Sequence, residues 1–469
     1  MNILLINVCL RPYLNYVTFP IGFSYIVSAA KRAGYNFEIL DLDIHRYTDE
    51  ELEEELRKRK FDIAAFGCIV TGYKHVKKLA SLIRKVNKKA IIIAGNSVAD
   101  SIPEILLTKT EVNFGVFSEG DVTFIELLKT IESGGVLENV MGICFKKDGR
   151  VVITPRRQAI PDINEIPIPN YEFFDMEAYI NKAREILAEP YPIPQSQIRP
   201  FFINTARGCP FRCTFCYHVF KQDRYRFRSP QSILAEIKEL QERYKVNYVQ
   251  FNDELTFFSK QQVEAFVNEI IANKMHFYWT ADCRATLFTR ADVGLLKKMK
   301  KTGCVALGYS LESGEPDILK SMNKHIRVED FIEQSKAIDE AGIGIKTSIV
   351  LGYPQETLET LKKTFDVCYD LNIYPSAGYL LPQPNTVMYV IAKEKGLIPD
   401  EEEYLLKAGD RQDFTLNFTQ IPEDVFQNEV KKHLKRISDK IGLGLAEGQL
   451  LKTGHYKSKH LKTGLPYNI

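Results

Sequence analysis

Short apolar segments alternate with helical patterns over residues 1–150, and this alternation constrains the fold more than any other feature of the sequence. The apolar segments predict five β-strands, at residues 3–8, 37–42, 63–69, 90–95 and 114–117. Residues with helical spacing fill the intervals between them. Strands that alternate with helices in this way form a parallel sheet with helices on both faces. We therefore predict an α/β protein that begins with a doubly wound parallel sheet.

Such a first domain is Rossmann-like or flavodoxin-like, and its ligands are expected beyond the carboxyl ends of the strands. The alternation returns over residues 201–395, where it predicts six strand–helix units. Six units are fewer than the eight of a closed barrel, so we expect a partial (β/α)6 barrel. Residues 151–200 hold eight of the 21 prolines, which predicts an ordered but irregular connector. Residues 396–469 are predicted to form a mainly helical C-terminal extension with a basic tail.

The charge balance argues against a nucleic-acid partner. Lys and Arg number 62 and Asp and Glu number 60, so the formal charge of +2 creates no overall basic field. No apolar run approaches the roughly 18 residues that a membrane span requires. The opening segment MNILLINV is predicted to be a buried strand and not a signal peptide. The nine cysteines, an odd number, are typical of reduced thiols, so we expect a cytoplasmic protein.

Three of the cysteines, Cys209, Cys213 and Cys216, lie within eight residues directly after an apolar strand. Thiolate ligands favour zinc or an iron–sulfur cluster. Structural zinc normally takes four ligands. The sequence has no second cysteine pair to complete such a site, although His218 is available as a fourth ligand. Three thiolates on a four-iron cluster would leave one iron open for chemistry, so the residues alone allow either a cluster or zinc.

The Cys209-x3-Cys213-x2-Cys216 spacing, with Phe215 before the last cysteine, resembles the signature of the radical S-adenosylmethionine (SAM) superfamily. The resemblance implies that the three cysteines bind a 4Fe–4S cluster whose open iron chelates the amino and carboxylate groups of SAM. It also implies that electron transfer cleaves SAM to a 5′-deoxyadenosyl radical, which abstracts hydrogen from the substrate. An external electron donor such as a flavodoxin or a ferredoxin is therefore an expected partner.

Polar residues that follow the later barrel strands are candidates for contact with SAM. They are Asp253, Glu254, Arg284, Glu312, Ser313 and Gly352. The carboxylates suit the SAM amino group or ribose hydroxyls, and Arg284 suits the SAM carboxylate or a substrate anion. Gly352 lies in a segment that resembles the family's glycine-rich strand end near adenine. The alternative is that the carboxylates cap helices and that Arg284 forms a salt bridge in the barrel rim.

A parallel-sheet domain ahead of this barrel, joined by the connector Asp162-Ile-Asn-Glu-Ile-Pro-Ile-Pro169, resembles the cobalamin-dependent radical SAM enzymes over residues 1–395. The resemblance implies that loops after the first-domain strands hold cobalamin, with plain turn chemistry as the alternative for each loop. The candidate residues are Asn7, Tyr13, Cys68, Thr71, Gly95, Asn96, Ser97, Ser118, Glu119 and Gly120. Asp43-Ile-His45 resembles the start of the cobalt-binding Asp-x-His-x-x-Gly motif, but Thr48 replaces its glycine. We therefore expect cobalamin without a protein histidine on cobalt.

The resemblance implies methyl transfer to an unactivated carbon of a small-molecule or lipid-like substrate. Methylcobalamin would carry the methyl group, and SAM would both remake it and generate the radical. Three alternatives stay open: a radical cyclase, a methylthiotransferase-like enzyme, and a non-catalytic module with a structural cluster. Methylthiotransferases use three first-domain cysteines for a second cluster, and here only Cys9 and Cys68 lie at strand ends.

Overall fold

The computed structural model describes residues 1–12, 17–189 and 191–451. Its first sheet is built from the strands β1 (Ile3–Asn7), β2 (Phe37–Asp41), β3 (Ile63–Gly67), β4 (Ile91–Gly95), β5 (Phe114–Val116), β6 (Ile143–Lys147) and β7 (Arg150–Ile153). The helices between them are α1 (Ile21–Arg32), α2 (Leu42–His45), α3 (Asp49–Arg57), α4 (Tyr73–Val86), α5 (Ser97–Ser101), α6 (Pro103–Lys109) and α7 (Gly120–Ser133). The strand order is β2-β1-β3-β4-β5-β6-β7.

The first five strands of this sheet are parallel. All residues of β1 are buried because helices cover both faces, with α1 packed on α7 and α3 packed on α4. The predicted doubly wound parallel sheet is therefore confirmed. The sequence analysis did not predict the strand β7 or the antiparallel pairing of β6, because Lys146 and Lys147 are exposed and interrupt the apolar pattern.

The second alternation folds into a barrel. After α8 (Met176–Glu185) come β8 (Pro200–Ile203), β9 (Ala206–Arg207), β10 (Arg226–Phe227), α9 (Pro230–Tyr244), β11 (Tyr248–Phe251), α10 (Lys260–Ala272), β12 (Tyr278–Asp282), α11 (Val293–Lys301), β13 (Cys304–Gly308), α12 (Pro316–Ser321), α13 (Val328–Glu340), β14 (Gly344–Lys346), β15 (Ser348–Leu351), α14 (Leu358–Asp370) and β16 (Ser376–Tyr379). The chain continues with α15 (Val387–Glu394), α16 (Glu401–Lys407) and α17 (Glu423–Ile441).

The barrel strands are parallel and follow the order β14-β13-β12-β11-β8, with β15 paired to β16. Only Thr347 separates β14 from β15, and its carbonyl accepts a hydrogen bond of 2.8 Å from the Ser376 N–H. The predicted partial barrel is therefore confirmed, although the single strand expected at residues 344–351 is two short strands.

The two faces of the barrel strands differ in chemistry. Residues such as Val249, Trp279 and Leu307 are wholly buried towards the helices. Their alternate neighbours face the interior of the barrel, because successive side chains of a strand point to opposite faces. An apolar cluster packs at the amino-terminal ends of the strands, formed by Leu187, Ile198, Tyr248, Tyr278 and Val305. The polar positions consequently lie at the carboxyl ends.

The chain divides into two compact units. The first comprises residues 1–182, 217–224 and 383–409, and the second comprises residues 183–216, 225–382 and 410–469. Within the second unit α17 packs against α14, so the region after the barrel is helical as predicted. Among the described residues, every helix is too short or too polar to cross a membrane. The predicted basic tail after residue 451 lies outside the described residues.

Candidate functional site

The three cysteines of the motif lie on one loop that leaves the barrel after β8. The two ends of the loop are joined by an antiparallel ladder between β9 and β10, in which Arg226 pairs with Arg207. None of these three cysteines forms a disulfide with another described residue. Desolvation raises the thiol pKa of Cys209, and it raises the thiol pKa of Cys216 to about 12. The thiolate charges of Cys209 and Cys213 further raise the Cys216 pKa, which shows that the three sulfurs are near one another.

The arrangement of the three cysteines fits an iron–sulfur cluster better than a single zinc ion. Among the residues that the structure describes, no three His, Cys, Asp or Glu side chains gather around one point as zinc requires. The cysteines of a four-iron cluster each bind a different iron, so they stand farther apart. Desolvation raises the Cys209 pKa, and the positive charges of Arg284 and Lys324 offset part of that rise, which favours the thiolate that iron binds. The loop therefore fits a three-cysteine cluster.

Asp253 and Glu254 hold the segment that leads into the loop. The Asp253 carboxylate accepts hydrogen bonds from the Thr205 N–H at 2.8 Å, the Thr205 hydroxyl at 2.6 Å and the Ala206 N–H at 3.0 Å. The Glu254 carboxylate accepts one from the Gly208 N–H at 3.3 Å. Burial raises the pKa of both carboxyl groups. These bonds brace the cluster loop, and a contact of either residue with SAM stays a prediction.

The middle of the loop is anchored to the barrel end. The Thr214 hydroxyl lies 2.8 Å from the Tyr353 hydroxyl and donates to the Ser321 carbonyl at 3.0 Å. The Phe215 ring meets the Tyr353 ring edge to face, with centroids 6.4 Å apart. The aromatic residue of the motif thus packs against the segment after β15, which fixes the loop over the strand ends.

Glu312 forms a buried ion pair that sequence reasoning missed. Its Oε1 lies 2.7 Å from the Lys324 Nζ, and both side chains are buried. Its Oε2 has no hydrogen-bond partner within the described part of the chain, although it is buried. Glu312 also has a positive φ of 63°, which aims the carboxylate away from the usual strand geometry. The free oxygen and its influence on the Cys216 pKa place an open acceptor near the cluster loop.

Arg284 presents an open donor to the same region. Its guanidinium carbon lies 3.8 Å from the centroid of the Phe211 ring, on the cluster loop. Its Nε and Nη2 are buried and lack hydrogen-bond partners among the described residues. Among the described residues, Arg284 does not form the salt bridge in the barrel rim that was the alternative to a ligand contact. Unsatisfied guanidinium nitrogens suit a carboxylate ligand, since planar Arg–carboxylate pairs form two parallel hydrogen bonds.

The remaining SAM candidates are Ser313 and Gly352. The Ser313 hydroxyl accepts from the Glu315 N–H at 3.2 Å, as in a turn. Gly352 has a φ of 95°, which favours glycine, and its N–H donates to the Glu356 Oε2 at 3.1 Å. Burial raises the pKa of Glu356 to about 7. Contacts of Ser313 and Gly352 with SAM stay predictions.

In the first unit, Asn7 is the last residue of β1, and its side chain is hydrogen-bonded to neighbouring protein groups. Its Nδ2 donates to the Asp41 Oδ1 at 2.9 Å and to the Tyr179 hydroxyl at 3.0 Å. Tyr179 in turn donates to the Asp41 Oδ2 at 2.6 Å. The candidate Tyr13 lies outside the described residues. His45 stacks on Tyr47, with ring centroids 5.2 Å apart.

The loops after β3 and β4 are bound to each other. The Ser97 hydroxyl accepts from the Val70 N–H at 2.8 Å, and the Cys68 N–H donates to the Gly95 carbonyl at 3.1 Å. Asn96 has a φ of 70°, and its side chain accepts from the Ser97 N–H. Thr71 lies half-buried in the short turn that follows Cys68, which is itself buried. This arrangement fixes a ledge of small residues at the carboxyl edge of the sheet.

The loop after β5 adds to the same edge. Ser118 has a φ of 65°, and its buried hydroxyl lacks a hydrogen-bond partner among the described residues. The Glu119 Oε2 accepts from the Ile160 N–H at 2.6 Å, and Gly120 begins α7 against Ile26. Sequence reasoning missed Ile69, whose apolar side chain is 40% exposed after β3. A ledge with small residues, an open hydroxyl and an exposed apolar side chain fits a large flat ligand such as cobalamin.

A pocket in the first unit lies beside Tyr217, the residue after Cys216. Its volume is about 290 Å³, and it is lined by Asp100, Tyr217, His218, Val219, Lys221, Gln222 and Asn385. The Tyr217 hydroxyl donates to the Asp100 Oδ2 at 2.5 Å. Arg156 bridges Asp100 at 3.2 Å and Asp223 at 3.0 Å. This network orders the segment that follows the motif, and the sequence analysis did not predict it.

Two protein-family models match separate parts of the chain. The model described as "Radical SAM superfamily" matches residues 203–368. The model described as "B12 binding domain" matches residues 10–128. The two matched regions contain the cluster loop and the ledge of the first sheet, respectively.

Several known proteins are similar over most of the chain. A protein of Pyrococcus horikoshii named as an uncharacterized methyltransferase is 25% identical over 382 residues, which are 81% of this chain and 79% of that protein. The anaerobic magnesium-protoporphyrin IX monomethyl ester cyclase of Rubrivivax gelatinosus is 25% identical over 360 residues, 75% of this chain but only 62% of the cyclase. The radical SAM methyltransferase TsrM from Kitasatospora setae, solved with cobalamin and a [4Fe-4S] cluster, superposes with a TM-score of 0.63 at 18% identity and covers 84% of this chain and 78% of its own. At this identity the superposition shows a shared fold.

Proposed function

The chain belongs to the cobalamin-dependent radical SAM enzymes, and we propose that it transfers a methyl group to an unactivated carbon of its substrate. The predicted cofactors, a 4Fe–4S cluster, SAM and cobalamin, are confirmed by the two domain matches. The observation that carries the proposal is the presence of both domains in one chain. A radical SAM domain alone suffices for hydrogen abstraction, whereas a methyl carrier serves group transfer.

The cluster, SAM and cobalamin together supply hydrogen abstraction and the methyl group when they are bound. The protein's own contribution is binding and orientation. Cys209, Cys213 and Cys216 hold the cluster, and Arg284 and the free Oε2 of Glu312 take the carboxylate and the amino group of SAM. The support is that these donor and acceptor atoms are buried, unsatisfied and near the cysteines.

The first unit holds cobalamin on its ledge. Ser118 and Ile69 are the residues that we propose contact cobalamin. Ser118 offers an unsatisfied hydroxyl, and Ile69 offers an exposed apolar side chain. Cobalt is proposed to lack a histidine ligand from the protein. An external reductant is needed, as for radical SAM enzymes generally, and we propose a flavodoxin or ferredoxin in the cytoplasm for this role.

Radical cyclisation is the second candidate, favoured by the similarity to the Rubrivivax cyclase. The chain spans 79% of the Pyrococcus methyltransferase and 62% of that cyclase, which favours methyl transfer. A methylthiotransferase-like activity is less well supported. Cys68 is buried against Gly72, and the Cys9 thiol is hydrogen-bonded with Asp43, so neither sulfur is presented as an open cluster ligand.

The test needs no knowledge of the substrate. The protein is reconstituted anaerobically with iron, sulfide and hydroxocobalamin, desalted, and mixed with SAM and titanium(III) citrate. We expect cobalamin absorption bands and one S-adenosylhomocysteine per bound cobalamin, together with slow formation of 5′-deoxyadenosine. A cyclase would form 5′-deoxyadenosine without S-adenosylhomocysteine, and a structural module would form neither product.

A further inference from the structure

A row of charged residues crosses the inner face of the barrel at the carboxyl ends of the strands. Asp282, Gly308 and Lys346 are in register on β12, β13 and β14. A Cβ on Gly308 would overlap the Asp282 carboxylate, so the glycine allows that carboxylate to lie across the strand. Asp282 and Lys346 attract each other electrostatically, yet over the described residues neither side chain forms an ion pair or a hydrogen bond.

A second polar row begins two residues farther along the chain, with Ser310 after β13 and Ser348 at the start of β15. The hydroxyls of Ser310 and Ser348 are 2.7 Å apart, and Ser348 is in register with Ser376 on β16. The Arg411 Nη2 donates to the Ser376 hydroxyl at 2.8 Å. The stem of Arg411 lies along β16, because a Cβ on Gly378 would come within 2.9 Å of the Arg411 Cγ and Cδ. Arg411 therefore brings a second positive charge onto this face.

Neither cation on this face has a direct ion-pair partner among the described residues. Lys346 and Arg411 are cations without an ion-pair partner in the described ranges, and Asp282 is the one carboxylate in their row. Desolvation raises the pKa of Asp282 to about 6, the nearby Asp253 charge also raises it, and the Lys346 charge lowers it. Lys346 and Arg411 are both partly exposed, so their charges are accessible to a ligand at this face. An apolar, lipid-like ligand would leave Lys346 and Arg411 without an ion-pair partner, whereas an anion would provide one.

We infer that Lys346 and Arg411, with the hydroxyls of Ser348 and Ser376, bind an anionic group of the substrate, a carboxylate or a phosphate. The inference rests on the proposed function, because it names the substrate class of the same reaction. Guanidinium and ammonium groups next to hydroxyl donors are suited to either anion. A small acidic molecule is then favoured over a neutral lipid.

The experiment measures binding of acetate and inorganic phosphate to the reconstituted full-length enzyme by calorimetry. SAM is included so that its own carboxylate site is filled. We expect at least one of the anions to bind, and acetamide, which resembles acetate but is neutral, not to bind. Lys346→Gln and Arg411→Gln should each weaken anion binding at least tenfold.

Two further variants make the result specific. Arg411→Lys keeps the positive charge and should retain anion binding within about threefold. Retained binding in this variant would show that the loss in Arg411→Gln comes from the missing charge and not from a disturbed fold. Lys336→Gln changes an exposed lysine on α13 and should bind the anions like the wild type. Absence of anion binding by the wild type, or anion binding by both glutamine variants as tight as that of the wild type, overturns the anion site. Formation of S-adenosylhomocysteine in the same preparation reports separately on methyl transfer, so the two proposals fail independently.

Discussion

The Lys324 ammonium lies 2.7 Å from Oε1 of Glu312, while Oε2 of the same buried carboxylate is left without a partner among the described residues. One carboxylate thus neutralises a lysine and keeps an acceptor free beside the cluster loop. The pair links the turn after β13 to the segment after α12, which are separated by a dozen residues in the chain.

Glu312→Gln should destabilise the protein and weaken SAM binding. The substitution leaves the Lys324 charge buried without its partner, and breaking such a pair costs about 3 kcal/mol. The free energy of unfolding in urea and the SAM dissociation constant measure the two effects. Glu403→Gln is the matched control, because the Glu403–Lys407 pair is exposed and should contribute less than about 1 kcal/mol. Equal losses in both variants would contradict a special role for Glu312.

Arg284→Met should weaken SAM binding by about tenfold, as expected for the loss of one charge-assisted hydrogen-bonded pair. Methionine keeps an unbranched side chain next to Phe211 but removes the unsatisfied guanidinium nitrogens. Equilibrium dialysis with labelled SAM gives the dissociation constant. Arg243→Met also removes an arginine from above an aromatic ring, that of Tyr244, and should leave SAM binding unchanged. Unchanged affinity in Arg284→Met would exclude this residue from the SAM site.

The triple substitution of Cys209, Cys213 and Cys216 by alanine should abolish iron binding and the formation of 5′-deoxyadenosine. These thiols are the ligands proposed for the cluster, and the other cysteines lie elsewhere in the fold. Iron and sulfide analysis after anaerobic reconstitution gives the result. Cys368→Ala, at a buried position in α14, should keep the full iron content. Retained SAM cleavage in the triple variant would refute the cluster site.

The free energy of unfolding should decrease as the pH rises, because Glu356 loses its proton. Burial, and secondarily the Glu315 charge, raise its pKa from the ordinary 4.5 to about 7. The folded protein therefore binds this proton more tightly than the unfolded chain. Its stabilising contribution, full below pH 4.5, is lost as the pH rises through 7.

Glu356→Gln should remove this dependence. The amide oxygen still accepts from the Gly352 N–H, so the variant should be more stable than the wild type at pH 8, by about 1–3 kcal/mol. Urea unfolding at pH 5 and pH 8 measures the difference. Glu359→Gln, at an exposed position on α14, should follow the wild type at both pH values. Parallel pH profiles of wild type and Glu356→Gln would show that Glu356 titrates normally.

Ile69→Asp should reduce cobalamin retention by at least tenfold without changing the iron content. A carboxylate at this exposed apolar position would oppose contact with the face of a large flat ligand. Absorbance of cobalamin after desalting and iron analysis give the two readings. Val136→Asp, at another exposed apolar position of the first unit, should retain cobalamin. A joint loss of iron and cobalamin would indicate general unfolding.

Local patterns sufficed to predict the main elements, and they led to the proposal of Cys209, Cys213 and Cys216 as cluster ligands. Strand and helix periodicity depends on neighbours in the chain, so the parallel sheet and the partial barrel were predictable. The strand β7 and its antiparallel pairing with β6 were missed, since exposed Lys146 and Lys147 interrupt the apolar pattern. Lys324 and Arg411 were missed because their relation to Glu312 and Ser376 arises only when distant segments meet.

The sequence by itself determined that three thiols share one loop after a strand, because their spacing is short and covalently set. It also determined that two sets of strand–helix units follow one another, since the apolar period is a local property. Only the tertiary structure decided which polar atoms stay unsatisfied, such as the Glu312 Oε2 and the Arg284 guanidinium nitrogens. It also decided that Asp282, Gly308 and Lys346 share a row, because strand register depends on contacts between segments far apart in the chain.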